Sequence, residues 1–139
     1  MSKPIAVQGC TIEYSVDGGT VSVIDTLSTA SSHNSVNGNK CYIKDIIVTV
    51  LTGTTVLLTT PPEGAASGSG TLVLPGTITI SGTSSKTSDG ENAFVLQDDD
   101  GSAPFQFAFP ASSGTNPVTS DVTIKAKVSK AGQNVVNVT

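Results

Sequence analysis

The sequence predicts a small all-β fold, and three observations carry that expectation. The composition favours β-branched and hydroxyl residues, apolar positions alternate with period two, and turn dipeptides separate the alternating runs. Serine and threonine together supply 37 of 139 residues, and valine, isoleucine and threonine supply 44. Leucine contributes 7 and glutamate 3, so strong helix formers are scarce. A helical bundle and a doubly wound α/β fold are thereby disfavoured. The length suits one domain, residues 1–139.

In chain order, Asp17-Gly18-Gly19 reads as a turn before the run Thr20-Val21-Ser22-Val23-Ile24. Asn37-Gly38 is a hairpin dipeptide, because both central residues of the favoured two-residue turn need positive φ. Residues 41–51 form the longest candidate strand; its apolar residues fall on both faces, which predicts a central position. Residues 61–70, rich in Pro, Gly and Ser, read as a loop. Thr77-Ile78-Thr79-Ile80 is a strand, and Asp89-Gly90 a second hairpin dipeptide. Phe105, Phe107 and Phe109 alternate with Gln106 and Ala108, so three aromatic rings share one face. Residues 111–120 read as another loop. In 122–128, Val122, Ile124, Ala126 and Val128 form a buried face opposite Thr123, Lys125 and Lys127.

A weak repeat runs through these elements. Residues 31–45 and 84–98 share a Ser-Ser pair, a polar stretch, an Asn-Gly or Asp-Gly turn, an apolar run and an aspartate. A third β-branched run, 122–128, leads into Ala131-Gly132-Gln133-Asn134-Val135-Val136-Asn137-Val138, where the third unit reads as truncated. The period is near 50 residues. Repeats of this length mark supersecondary units stacked or set about an axis. The expectation from the repeat is a small β-fold with three pseudo-repeated β units, able to sit on a trimer. The alternative is a β-sandwich, which has no threefold relation.

The chain carries few groups suited to chemistry. Net charge is −4, with seven lysines and no arginine, a poor basis for nucleic-acid binding. Lys125, Lys127 and Lys130 read as a solvated face. His33 is the one histidine and sits in a polar run, read as an exposed loop residue. Cys10, His33 and Cys41 could approach as soft metal ligands, but a structural zinc site normally takes four and no Cys-x-x-Cys spacing exists. The cysteines are expected to be free thiols. Asp98-Asp99-Asp100-Gly101 lacks a downstream glutamate for calcium and reads as a solvated turn. Asp45 and Asp98 occupy matching repeat positions, which does not make them a catalytic pair. Neither a nucleophile motif nor a phosphate-binding glycine loop is found. No enzyme activity, and no catalytic, cofactor-binding or metal-ligating residue, is therefore expected. The opening residues show no signal-peptide pattern, and the run 43–51 is interrupted by Lys44, Asp45 and Thr49. Synthesis in the cytoplasm, with any export independent of a cleaved signal, is the expectation.

The opening Ser2-Lys3-Pro4-Ile5-Ala6-Val7-Gln8-Gly9, the unit Ser35-Val36-Asn37-Gly38-Asn39-Lys40 before a strand, and the tail Ala131-Gly132-Gln133-Asn134-Val135-Val136 resemble proline-alanine-alanine-arginine repeat (PAAR) and PAAR-like proteins. The resemblance implies a pseudo-threefold cone that caps the trimeric β-helical spike of a contractile injection machine, such as a type VI secretion system or a phage tail. It implies a homotrimeric spike partner, one chain per trimer, and a capacity for effector cargo. Two departures stand out. Pro4-Ile5-Ala6-Val7 replaces the four-residue signature, and a single histidine replaces the family's three-histidine, one-cysteine metal set. A competing expectation is a β-sandwich adhesion module for a glycan or cell surface.

Overall fold

The structure, a computed structural model, describes residues 2–30, 34–85, 87–88 and 92–138. Among the described residues there are fifteen strands and no helix. The scarcity of helix formers and the β-branched runs account for this.

The largest unit is an antiparallel sheet of six strands. They are β2 (Thr11–Ser15), β3 (Gly19–Ser22), β8 (Thr55–Leu58), β9 (Ser69–Leu72), β13 (Asp100–Phe109) and β14 (Val118–Lys130), in the spatial order β2-β14-β13-β9-β8-β3. The two end strands are consecutive in the chain and meet across the Asp17-Gly18 turn through a Val16–Gly19 bridge. The sheet therefore curls into a nearly closed barrel. Gly18 sits at φ 74°, a conformation that glycine adopts without the clash a Cβ brings. Closure hides most of the strand edges that a flat sheet would expose.

β13 and β14 are the spine of the barrel, with a ten-pair register from Asp100↔Lys127 to Phe109↔Val118. Phe105, Phe107 and Phe109 all point inward and are buried, as are Val122, Ile124, Ala126 and Val128. Burying each phenylalanine contributes roughly 1.5–3 kcal/mol. The opposite face carries Lys125 and Lys127; Lys125 pairs with Asp100 across the strands at 3.2 Å in a well-exposed ion pair.

A second sheet of three strands packs on the same core, in the order β10-β7-β4. These are β4 (Asp25–Leu27), β7 (Asp45–Val50) and β10 (Gly76–Ser81). β7 is central, as its apolar composition predicts, and Ile46, Val48, Val50, Ile78 and Ile80 are fully buried. Gly101 marks where the two sheets touch: a Cβ there would lie 2.0 Å from the Thr79 carbonyl oxygen. A glycine lets β10 and β13 approach at backbone distance.

Several expectations are corrected. β14 begins at Val118, inside the segment read as a loop, because Val118 to Asp121 continue the ladder with β13. Ser69–Leu72 is a strand that starts within the expected 61–70 loop. The long 41–51 run is two elements, since Lys44 takes φ 71° and turns the chain before β7. The sandwich alternative is not adopted, because the larger sheet closes on itself. Asp99 is not in a solvated turn; it is buried, and its carboxylate accepts from the Leu96 and Thr83 backbone N–H groups and the Thr83 hydroxyl. His33 and the Asp89-Gly90 turn lie outside the described residues.

Candidate functional site

Three short segments meet at one end of the barrel: Pro4 to Gln8, Lys40 to Lys44, and Ala93 to Gln97. Their backbones form a closed ring of hydrogen bonds. Ala6 N–H donates to Val95 O, Val95 N–H to Tyr42 O, and Tyr42 N–H to Ala6 O, at 2.8, 3.1 and 2.9 Å. A second closed set surrounds it. Gln8 N–H donates to Lys40 O, Lys44 N–H to Ala93 O, and Gln97 N–H to Pro4 O, at 2.8, 2.7 and 2.9 Å. The bridges Val7↔Cys41, Ile43↔Phe94 and Ile5↔Leu96 repeat the same offset from each segment to the next. A pattern that returns to its start after three equal steps defines a pseudo-threefold axis.

The approaches to the ring are equivalent as well. The hairpin β5 (Ser35–Val36) and β6 (Asn39–Lys40) pairs Ser35 with Lys40. β11 (Thr87–Ser88) and β12 (Asn92–Ala93) pair Thr87 with Ala93. For the first segment the partner is distant: β1 (Lys3–Pro4) pairs with β15 (Asn137–Val138), Pro4 opposite Asn137. Cys41 N–H donates to Asn34 O, and Ile5 N–H correspondingly to Val136 O. The third unit, read from the sequence as truncated, is thus completed by residues 3–9. It is split between the two ends of the chain.

Gln133 fastens this split unit. Its Nε2 donates to the Ile5 and Val136 carbonyls at 2.8 and 2.9 Å, while its Oε1 accepts from the Val135 and Val136 N–H groups at 2.7 and 2.8 Å. Gly132, at φ 89°, lets the chain pass close to Val7 and Cys10; a Cβ there would lie 3.0 Å from Val7 Cγ2.

The ring divides the apolar interior in two, because alternate residues of an extended segment point to opposite sides. Ala6, Tyr42 and Val95 face the barrel core. Ile5, Val7, Cys41, Ile43, Phe94 and Leu96 face the other way and, with Val36, form a separate cluster. On that side lies a cup of about 310 Å³. Its floor holds Ile5, Cys41 and Phe94, one from each segment at the equivalent position, and Val36, Val136, Asn34 and Ser35 line its walls. The described lining contains no charged side chain. Val136 carries exposed apolar surface there, at 39%.

The two cysteines lie on opposite sides of the ring, and both are free thiols. Cys10 packs towards the barrel beside Tyr14 and Tyr42, and burial pushes its pKa up to about 11. Burial raises the Cys41 thiol too. Tyr14 is pushed up by burial and by its hydrogen bond to the Asp25 carboxylate; Tyr42, raised by burial, donates to Ser28 O at 2.8 Å. These groups stay protonated and neutral near pH 7. Among the described residues no three His, Cys, Asp or Glu side chains gather where they could hold a metal ion. Asp45 and Asp98 follow the equivalent ring residues Lys44 and Gln97, and Lys3 makes an exposed ion pair with Asp98 at 3.5 Å.

The sequence repeat located two ring segments and missed the third, which the continuous apolar run Ile5-Ala6-Val7 after Pro4 could have suggested. Nothing in the sequence marked Gln133 as a clasp. In comparisons with known proteins, no family model, curated protein or solved structure matches the chain.

Proposed function

We propose that the protein is a non-enzymatic structural cap for the tip of a homotrimeric β-helical spike, in the manner of PAAR-like proteins of contractile injection machines. The closed threefold ring of backbone hydrogen bonds is the observation that carries this reading. One chain here imitates the arrangement of three subunits. The imitation is useful when the surface must match a partner that has three. Approximate rotational symmetry lets each unit meet one subunit with the same backbone geometry.

The barrel suits the same role. It is rich in short side chains, poor in long charged ones, and built on a ten-pair ladder with a fully buried aromatic row. Such a body resists deformation because its interior is close-packed. On this reading the chain travels with the particle, and effector cargo is a further capacity of such caps.

Native mass spectrometry of the chain mixed with the purified trimeric spike of the same particle tests the reading. The expected species holds one chain per three spike subunits. A chain that stays free at concentrations well above micromolar removes the proposal.

A further inference from the structure

We infer that the cup on the pseudo-threefold axis is the seat for apolar side chains that converge on the axis at the end of a homotrimer. This inference rests on the cap reading and adds to it the docking face and the chemistry of what enters.

The floor decides the symmetry of the occupant. Ile5, Cys41 and Phe94 stand at equivalent positions of three segments whose backbones close on one another through two cyclic sets of hydrogen bonds. Three identical side chains related by a true threefold axis would each reach one floor residue along the same approach. A monomeric peptide would use one approach and leave two empty.

The lining decides the chemistry. Its described residues are mostly apolar and none is charged, so these residues offer neither counter-charge for an anion nor carboxylates for a cation. A volume of about 310 Å³ lies at the small end of the range for ligand clefts, enough for a few aliphatic or aromatic groups. The floor is already nearly buried, at 4%, 2% and 8% exposure for Ile5, Cys41 and Phe94, whereas Val136 at the wall stays open to solvent. Burial of a rim of this kind around a central apolar contact is how interfaces exclude water from their strongest contacts. The opposite side of the ring is filled by the barrel core, so only the cup side can receive a partner.

The experiment uses the full chain and the purified trimeric spike of the same particle, with binding followed by calorimetry. Val136→Asp places a charge on the wall of the cup, and Leu57→Asp places one at an equally accessible apolar residue on barrel strand β8, 59% exposed. Val136→Asp should weaken binding at least tenfold and Leu57→Asp less than twofold. Both variants should keep the wild-type melting temperature within a few degrees. Should Val136→Asp unfold, Ser35→Asp at another exposed residue of the cup lining replaces it with the same expectation. Wild-type binding with undiminished affinity in the cup variant overturns the seat and leaves the cap reading standing. Failure of the wild-type chain to bind the trimer overturns the cap reading itself. Sedimentation of the chain alone separates a third result: a dimer that Val136→Asp abolishes would make a second copy of this chain the occupant and overturn the inference.

Discussion

In the barrel, backbone bonds run in long ladders between neighbouring strands, and β13 and β14 share ten register pairs. In the ring, each segment gives a few residues and each junction has two bonds of the cyclic sets. The barrel has redundancy along its length, so one weakened pair leaves the others in place. The ring has no such reserve: removing one segment breaks two of its three junctions. The barrel also draws on a large apolar core, whereas the ring's outer cluster is small and partly open. Stability is therefore concentrated in the barrel, and the surface proposed to meet a partner is built on the less secured part. Binding surfaces are commonly drawn from the less stable parts of a fold.

Four substitutions or conditions test how sharp this division is. Phe107→Ala empties a fully buried site in the barrel and should cost about 3–5 kcal/mol. Thermal unfolding should move down by more than about 10 °C, as one cooperative transition. A small shift would mean that the aromatic row is not the barrel's main support.

Asp99→Ala tests the junction between the regions. It leaves the Leu96 and Thr83 N–H groups without their carboxylate acceptor, at a cost of about 1–3 kcal/mol. Hydrogen exchange should quicken most at Leu96 and Thr83. Uniform quickening across the barrel would erase the distinction between the regions.

The pH response follows from Cys10, whose folded pKa of about 11 lies above the unfolded value of 9.0. Below pH 9 both states keep the proton and stability is unaffected. Between pH 9 and 11 the unfolded thiol ionises first, so stability falls as pH rises, by about 1 kcal/mol at pH 10 after allowance for partial solvent exposure. Denaturant titrations of wild type and Cys10→Ala should converge over that window, and parallel curves would remove the thiol from the account.

Gln133→Ala should have the smallest global effect, under about 1 kcal/mol, because it releases only the clasp of the split unit. Exchange at the Val135 and Val136 amides should rise severalfold while the melting temperature stays nearly constant. A large drop in melting temperature would show that ring and barrel unfold together.

The barrel was the more legible half. Period-two alternation placed Phe105, Phe107, Phe109 and the 122–128 face correctly, because a half-buried strand writes its burial directly into the residue pattern. Pairing partners were not legible: nothing local says that Thr11 to Ser15 joins the far edge of β14. In the ring, the repeat exposed the segments ending at Asp45 and Asp98, since both keep a hairpin and an apolar run in sequence. The third escaped because its two strands, residues 3–4 and 137–138, stand at opposite ends of the sequence. Asp99 was misread because a run of acids looks hydrated, whereas its burial depends on backbone donors that only the fold brings near.

The pairing of Pro4 with Asn137 has a kinetic consequence. Bringing together residues more than 130 positions apart carries a large loop-closure entropy unless the intervening chain is already ordered. Formation of the third junction should then follow assembly of the strands between, making the cup a late product of folding and an early casualty of unfolding. Competence to dock would in that case report that the rest of the molecule is complete.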